Sequence, residues 1–123
     1  DGTNEKHFVN GLFVEQDGCP GSLTINDADF MIGARGGDAA HSSQFRGSVD
    51  EAMVFGSMLS DTEVAAIYAA FAGAGGGAVQ AADLPGSLVG YWPLDGNGLD
   101  VSGNGLSGAF VNAVRRVLSM QAS

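Results

Sequence analysis

The sequence predicts an all-β fold with one short α-helix. Glycine accounts for 20 of the 123 residues, about twice its usual share. This glycine content indicates many turns. Only 15% of the residues are charged and 45% are apolar, so the chain has enough hydrophobic surface to avoid disorder. Short β-rich runs alternate with turn signals along the chain, which is typical of antiparallel sheets.

The first predicted element is a β-hairpin over residues 6–15. Asn10-Gly11 separates two β-rich triplets, His7–Val9 and Leu12–Val14. Asn-Gly supplies positive φ angles at both central positions of a type I′ turn, which suits the twist of paired strands. Short strands are also predicted at residues 23–25 and 30–33. Residues 36–43 are polar and rich in glycine, so a surface loop is expected there.

The longest predicted strand covers residues 45–55. Val49 and Met53 fall on one face of it, and Ala52 and Val54 fall on the other. Because successive side chains alternate between faces, this pattern favours a strand that is covered on both sides.

A helix is predicted directly after this strand. Ser60 and Glu63 form the Ser-x-x-Glu pattern of a capping box, in which each residue bonds the backbone N–H of the other. Apolar residues then recur with helical spacing and predict one packed stripe. They are Val64, Ile67, Tyr68 and Phe71.

Glycine- and alanine-rich residues 72–87 predict a linker, after which residues 88–94 restart a β pattern. The helix and this linker leave enough chain for residues 88–94 to fold back beside residues 45–55. Tyr91 and Trp92 are adjacent, so one faces the core and one faces outward. Tyr91 is a candidate for stacking on a sugar ring.

Several motifs resemble the laminin-G-like, concanavalin A-like jelly-roll family. They are the hairpin with its Val-Asn-Gly turn, FMIGARGG at residues 30–37, the strand and helix at 45–68, and the strand and turn at 88–108. The resemblance implies a jelly-roll sandwich. The first and last strands of such a sandwich are neighbours, so the resemblance also implies that residues 88–94 pair with residues 45–55 and that Trp92 lies in the core. In that family a segment like 88–108 opens the domain and one like 45–68 closes it, which is the reverse of the order found here.

The resemblance therefore implies an incomplete or permuted sandwich. Residues 1–71 correspond to the end of one domain, residues 72–87 to a linker, and residues 88–123 to the first strands of a domain. The middle strands of the family are missing. Since a two-layer core needs both inner faces, we expect the chain to require a partner.

The resemblance also implies a structural calcium site. The family's Asp-x-Ser-Gly-Asn-Gly turn is matched by Asp100, Ser102 and Asn104, and its closing-strand aspartate is matched by Asp50. Ca²⁺ takes about six to eight oxygen ligands, which carboxylates and glycine-rich turns provide. The alternative is structural: an Asx-turn at Asp100 and a hydrogen-bonded Asp50.

Charge and cysteine content exclude several classes of partner. The net charge is −9, with 5 basic and 14 acidic residues, which disfavours nucleic acid and anionic membrane surfaces. No run reaches the roughly 18 apolar residues of a membrane span, so membrane insertion is not expected. Cys19 is the only cysteine, which rules out an intrachain disulfide. A small buried thiol is expected there, with an interchain bridge as the alternative.

Catalysis is not expected. Jelly-roll glucanases place Glu-x-Asp-x-x-Glu on one strand, and that spacing does not occur here. Asp50 and Glu51 are adjacent and should point to opposite faces of their strand. His7 and His41 belong to no Ser/Asp arrangement, so each is expected to be structural or solvated.

The sequence thus predicts a secreted or cell-surface, non-catalytic structural or adhesive module that assembles by exchanging strands between copies of itself. Neighbouring domains, glycans and extracellular proteins are the further expected partners. One alternative is a fragment of a tandem-repeat adhesin with Ca²⁺-dependent carbohydrate- or protein-binding domains. The other is a glycan-acting enzyme, which the missing carboxylate spacing disfavours.

Overall fold

The structure is a computed structural model and describes residues 3–19, 21, 29–34, 45–73 and 79–110. Its elements, in chain order, are β1 (Asn4–Val9), β2 (Leu12–Gly18), β3 (Ala52–Phe55), α1 (Asp61–Gly73), a 3₁₀ turn (Ala81–Asp83) and β4 (Leu88–Trp92). The strands form two small antiparallel sheets, β1–β2 and β3–β4. The described part of the chain is therefore β-rich with one short α-helix.

The chain divides into two compact units, each made of two stretches of sequence. One comprises Asp1–Asp29 and Phe55–Leu88, and the other comprises Phe30–Val54 and Val89–Ser123. The predicted strand at residues 23–25, the predicted loop at 36–43 and linker residues 74–78 lie outside the described residues.

The predicted hairpin is confirmed. Asn10 and Gly11 have φ angles of 53° and 75°, as a type I′ turn requires. Val9 pairs with Leu12 across the turn. Gly11 packs so closely on the first turns of α1 that a Cβ atom at Gly11 would lie 2.7 Å from the Cβ of Tyr68.

The predicted capping box is also confirmed, and α1 begins at Asp61. The Ser60 N–H donates to Glu63 Oε2 at 2.8 Å, and the Glu63 N–H donates to Ser60 Oγ at 3.2 Å. These backbone and side-chain bonds with Ser60 lower the pKa of Glu63. No residue of α1 is fully buried, and Tyr68 is 45% exposed, so the apolar stripe is only partly covered.

The strand predicted over residues 45–55 is shorter than expected, because only Ala52–Phe55 is a strand. Glu51 has a φ of 53°, which turns the chain out of the extended conformation. The Glu51 N–H also donates to Asp50 Oδ1 at 3.1 Å, a local bond that competes with strand pairing. Asp50 and Glu51 thus precede the strand instead of lying in it. The predicted pairing with residues 88–94 is confirmed, since β3 and β4 share a sheet.

Part of the predicted linker is ordered. Ala81–Asp83 forms the 3₁₀ turn, and Leu84, which follows it, is only 8% exposed. The Gln80 N–H donates to Asp83 Oδ2 at 3.3 Å and caps this turn. A buried leucine next to a capped turn is a packed element. The glycine-rich composition predicted a linker here and did not indicate this element.

Two further expectations fail. Residues 30–33 form no strand; instead, the Phe30 ring stacks on the Trp92 indole, with ring centroids 5.7 Å apart. Cys19 is exposed, not buried, because it follows β2 at the open end of the hairpin. Among the described residues, no helix has the length and apolar character needed to cross a membrane.

Candidate functional site

The Asp100 carboxylate organises the turn that follows β4. Asp100 Oδ1 accepts hydrogen bonds from the N–H groups of Tyr91 at 3.0 Å and Ser102 at 2.8 Å. Asp100 Oδ2 accepts one from the Leu106 N–H at 2.8 Å. The bond from Ser102, two residues on, is that of an Asx-turn. A single carboxylate therefore joins the strand to both ends of the turn.

These hydrogen bonds set the charge state of Asp100. Burial acts to raise the pKa of its carboxyl, but the hydrogen bonds from Tyr91, Ser102 and Leu106 together outweigh burial and hold the pKa well below its usual range. Because each bond favours the ionised form, Asp100 is a carboxylate at neutral pH.

Ser102 and Asn104 lie against β4 as well. Ser102 Oγ donates to the Val89 carbonyl at 3.2 Å, and Asn104 Nδ2 donates to the same carbonyl at 2.8 Å. The Asn104 N–H donates to Ser102 Oγ at 3.2 Å. The structure thus brings together Asp100, Ser102 and Asn104.

Asp50, the fourth predicted calcium ligand, is exposed, and its Oδ1 accepts the N–H of Glu51. This bond and the Asx-turn at Asp100 are the two features of the structural alternative. A carboxylate oxygen that accepts a hydrogen bond still has a lone pair to offer a cation. Calcium binding by these four residues stays a prediction.

Tyr91 does not lie on the surface as the alternation predicted. It is 2% exposed, while Trp92 is 8% exposed, so both neighbours are buried. The Tyr91 hydroxyl donates to the Glu51 carboxylate. Burial, this bond, and the nearby charges of Glu51, Asp95 and Asp50 raise the pKa of Tyr91. Stacking on a sugar needs an exposed ring face, and Tyr91 offers none.

Trp92 is fixed from several sides. Its Nε1–H donates to the Leu106 carbonyl at 2.9 Å, and its ring stacks on Phe30. A Cβ atom built on Gly90 would lie 2.8 Å from Cζ2 of the indole, so the ring covers the bare backbone of Gly90. Asp100 and Trp92 therefore both bind the same turn to β4, which makes this turn a structural unit.

A second cluster, which the sequence interpretation missed, lies on the hairpin. The side chains of His7, Glu15 and Asp17 each offer a ligand atom, and these atoms lie within 4.8 Å of one another. His7 Nε2 is 3.7 Å from Asp17 Oδ2 and 3.8 Å from Glu5 Oε1. The side chains of His7, Glu5 and Asp17 are 42%, 60% and 70% exposed, so a solute reaches them.

The register of the hairpin explains why the cluster was missed. Counting outward from the Asn10-Gly11 turn without interruption would place Glu15 opposite Lys6. A shift between His7 and Phe8 instead pairs His7 with Glu15 and Glu5 with Asp17. This β-bulge moves the acidic residues of β2 to the face that carries His7. The one feature of the sequence that could have indicated this cluster is the concentration of acidic residues near the start of β1 and toward the end of β2.

Comparison with known proteins adds no family. No protein-family model matches the chain, and neither the curated proteins nor the solved structures contain a match. The resemblance to laminin-G-like domains therefore depends on the motifs quoted above.

Proposed function

We propose that the chain is a non-catalytic structural or adhesive module, secreted or displayed at a cell surface, that completes its sheets with strands from another copy of itself. The observation that supports this most directly is strand number. Each sheet in the described residues has two strands, and a two-stranded sheet is marginal in water unless further strands or a helix cover it. The helix α1 contacts the hairpin but has no buried residue, so its cover is partial.

The hairpin has the surface that such an assembly needs. Val9, Leu12, Phe13 and Val14 are 59%, 70%, 50% and 55% exposed. Val9 and Leu12 are a cross-strand pair, and neighbouring apolar side chains left this exposed are typical of an interaction surface. The edge of a two-stranded sheet also presents backbone N–H and C=O groups, to which another strand can add by hydrogen bonding.

The charge of the chain constrains how copies associate. At a net charge of −9, two copies repel each other at long range. Association therefore depends on backbone pairing and apolar burial. Screening by salt weakens the repulsion, so we expect assembly to strengthen as ionic strength rises.

The proposed complete fold is a jelly-roll sandwich. The pairing of β3 with β4 supports it, because in the laminin-G-like family the strands resembling these two are the last and first of the domain and lie side by side. The permuted order is then compatible with one sandwich. The remaining strands of such a sandwich would come from the second copy, as in domain exchange.

Sedimentation of the purified chain, at low and high salt, tests the proposal. We expect an oligomer that becomes larger or tighter at high salt. Leu12→Lys places a charge among the exposed apolar side chains next to the turn of the hairpin and should weaken association. Leu99→Lys is the matched control, since Leu99 is 56% exposed but outside the strands. A stable, cooperatively folded monomer at all salt concentrations would contradict the proposal.

The adhesin-fragment alternative makes a different prediction. It requires the native polypeptide to be longer than these 123 residues, which intact-mass measurement of the protein from its natural source would show. Self-assembly of the chain and a longer native polypeptide are separate results, so the two measurements distinguish the two hypotheses.

A further inference from the structure

We propose that the β1–β2 hairpin binds one divalent transition-metal ion of the Zn²⁺ class through His7, Glu15 and Asp17. The ligand atoms of these three side chains lie within 4.8 Å of one another. The inference goes beyond the proposed assembly and does not depend on it, since every ligand belongs to one hairpin of one chain.

The distances suit a common ion. Two ligand atoms that each lie about 2.0–2.1 Å from a tetrahedral Zn²⁺ are about 3.4 Å apart. His7 Nε2 and Asp17 Oδ2 are 3.7 Å apart, and Glu5 Oε1 is 3.8 Å from the same nitrogen. A small rotation of exposed side chains is enough to close these gaps, and Glu5 is placed to add a further oxygen.

The backbone pre-positions the ligands. His7 pairs with Glu15, and Glu5 pairs with Asp17. Directly paired residues share a face of a sheet, and so do residues two apart on one strand. The four side chains therefore lie on one face, and a paired strand scaffold orders them without a loop having to fold around the ion.

The charges around the cluster favour a cation. Three carboxylates, those of Glu5, Glu15 and Asp17, surround a single imidazole. Lys6 alternates to the opposite face, where its Nζ is paired with Asp61 Oδ1 at 2.8 Å, so it does not neutralise them. The excess negative charge remains available to an ion.

The imidazole distinguishes this cluster from an ordinary acidic patch. A hard cation such as Ca²⁺ takes oxygen ligands only, whereas imidazole nitrogen suits Zn²⁺ and its neighbours in the transition series. A nitrogen that converges with carboxylate oxygens on paired strands therefore selects the class of ion.

Titration calorimetry with Zn²⁺ tests the site, with every variant made in a Cys19→Ser background because a free thiol is itself a Zn²⁺ ligand. We expect one ion per chain. His7→Gln and Asp17→Asn should each weaken binding by about tenfold or more, given that even the residues supporting metal ligands contribute about 10–100-fold. His41→Gln is the matched control and removes the only other histidine.

A second measurement covers the case in which a variant unfolds. Zn²⁺ should raise the melting temperature of the Cys19→Ser chain and of His41→Gln, but not that of His7→Gln, because a ligand stabilises only the state that binds it. Absence of saturable Zn²⁺ binding would overturn the proposal. So would binding that His7→Gln leaves unchanged, or equal affinity for Ca²⁺, each of which indicates an unspecific acidic surface.

Discussion

The backbone N–H of Tyr91 donates a 3.0 Å hydrogen bond to the Asp100 carboxylate, nine residues further along the chain. The Tyr91 carbonyl in turn accepts the Val101 N–H at 2.8 Å. Both backbone groups of one strand residue are thus bonded to the turn. Because Tyr91 is almost fully buried, losing either partner would leave a polar group without water to replace it.

Asp100→Asn should therefore destabilise the protein. The amide oxygen can replace one carboxylate oxygen as a hydrogen-bond acceptor. The amide NH₂ would take the place of the other oxygen, and it cannot accept a hydrogen bond from the N–H group there because both are donors. We expect a loss of about 1 kcal/mol in the free energy of unfolding, the usual net contribution of one hydrogen bond. Urea unfolding measures it. Asp29→Asn changes an exposed aspartate and is the control; equal effects of both substitutions would contradict the role assigned to Asp100.

The same carboxylate predicts a dependence of stability on pH. The pKa of Asp100 is lower in the folded protein than its ordinary value of 3.8. Its contribution is therefore complete above that ordinary value and is lost as the pH falls toward the folded pKa. The difference in unfolding free energy between the wild type and Asp100→Asn should shrink below about pH 4. A difference that stays constant from pH 7 to pH 3 would count against the assignment.

Gly90→Ala should disturb the packing of Trp92. The added Cβ would lie 2.8 Å from Cζ2 of an indole that Leu106 and Phe30 hold in place. We expect a loss of about 1–3 kcal/mol, typical of overpacking, and a red shift in the fluorescence of the single tryptophan. Gly86→Ala, where nothing lies within 4 Å of the new Cβ, should change neither quantity.

Gly11→Ala tests the turn of the hairpin. The φ of Gly11 is +75°, and a Cβ there would lie 2.7 Å from the Cβ of Tyr68. Left-handed backbone costs an L-residue about 1–2 kcal/mol, and the contact with α1 adds to it. We expect a lower melting temperature, measured by circular dichroism. Gly18→Ala meets nothing within 4 Å and should be nearly silent; similar losses for both would show that the turn is not the cause.

Calcium binding remains to be tested at Asp50 and Asp100. If the predicted site forms, calorimetry should detect Ca²⁺ binding, and Asp50→Ala should weaken it because an anionic oxygen ligand is lost. Asp29→Ala, which removes an exposed carboxylate that is not among the predicted ligands, is the control. No heat of binding, together with a melting temperature that a chelator leaves unchanged, would show that the turn is stabilised by its hydrogen bonds alone.

Local features were predictable from the sequence. The Asn10-Gly11 turn and the Ser60–Glu63 capping box involve residues at most three positions apart, so their residue types alone specify the geometry. The Asp100–Ser102 bond also spans two residues and was anticipated as an Asx-turn. The β3–β4 pairing was the one long-range prediction that succeeded, and it came from a family resemblance.

The features that determine the sites were decided by tertiary structure. The shift between His7 and Phe8 depends on how two strands pair, and a change of one residue moves every following side chain to the other face. It placed Glu15 opposite His7 instead of opposite Lys6, and Asp17 opposite Glu5 instead of opposite Asn4. The hydroxyl of the buried Tyr91 likewise donates its hydrogen bond to Glu51, which lies 40 residues away in sequence. The sequence by itself determined the turns and the start of the helix, because the interactions that stabilise them are local. Which side chains meet on each face of a sheet was decided by the strand register and by residues distant in sequence.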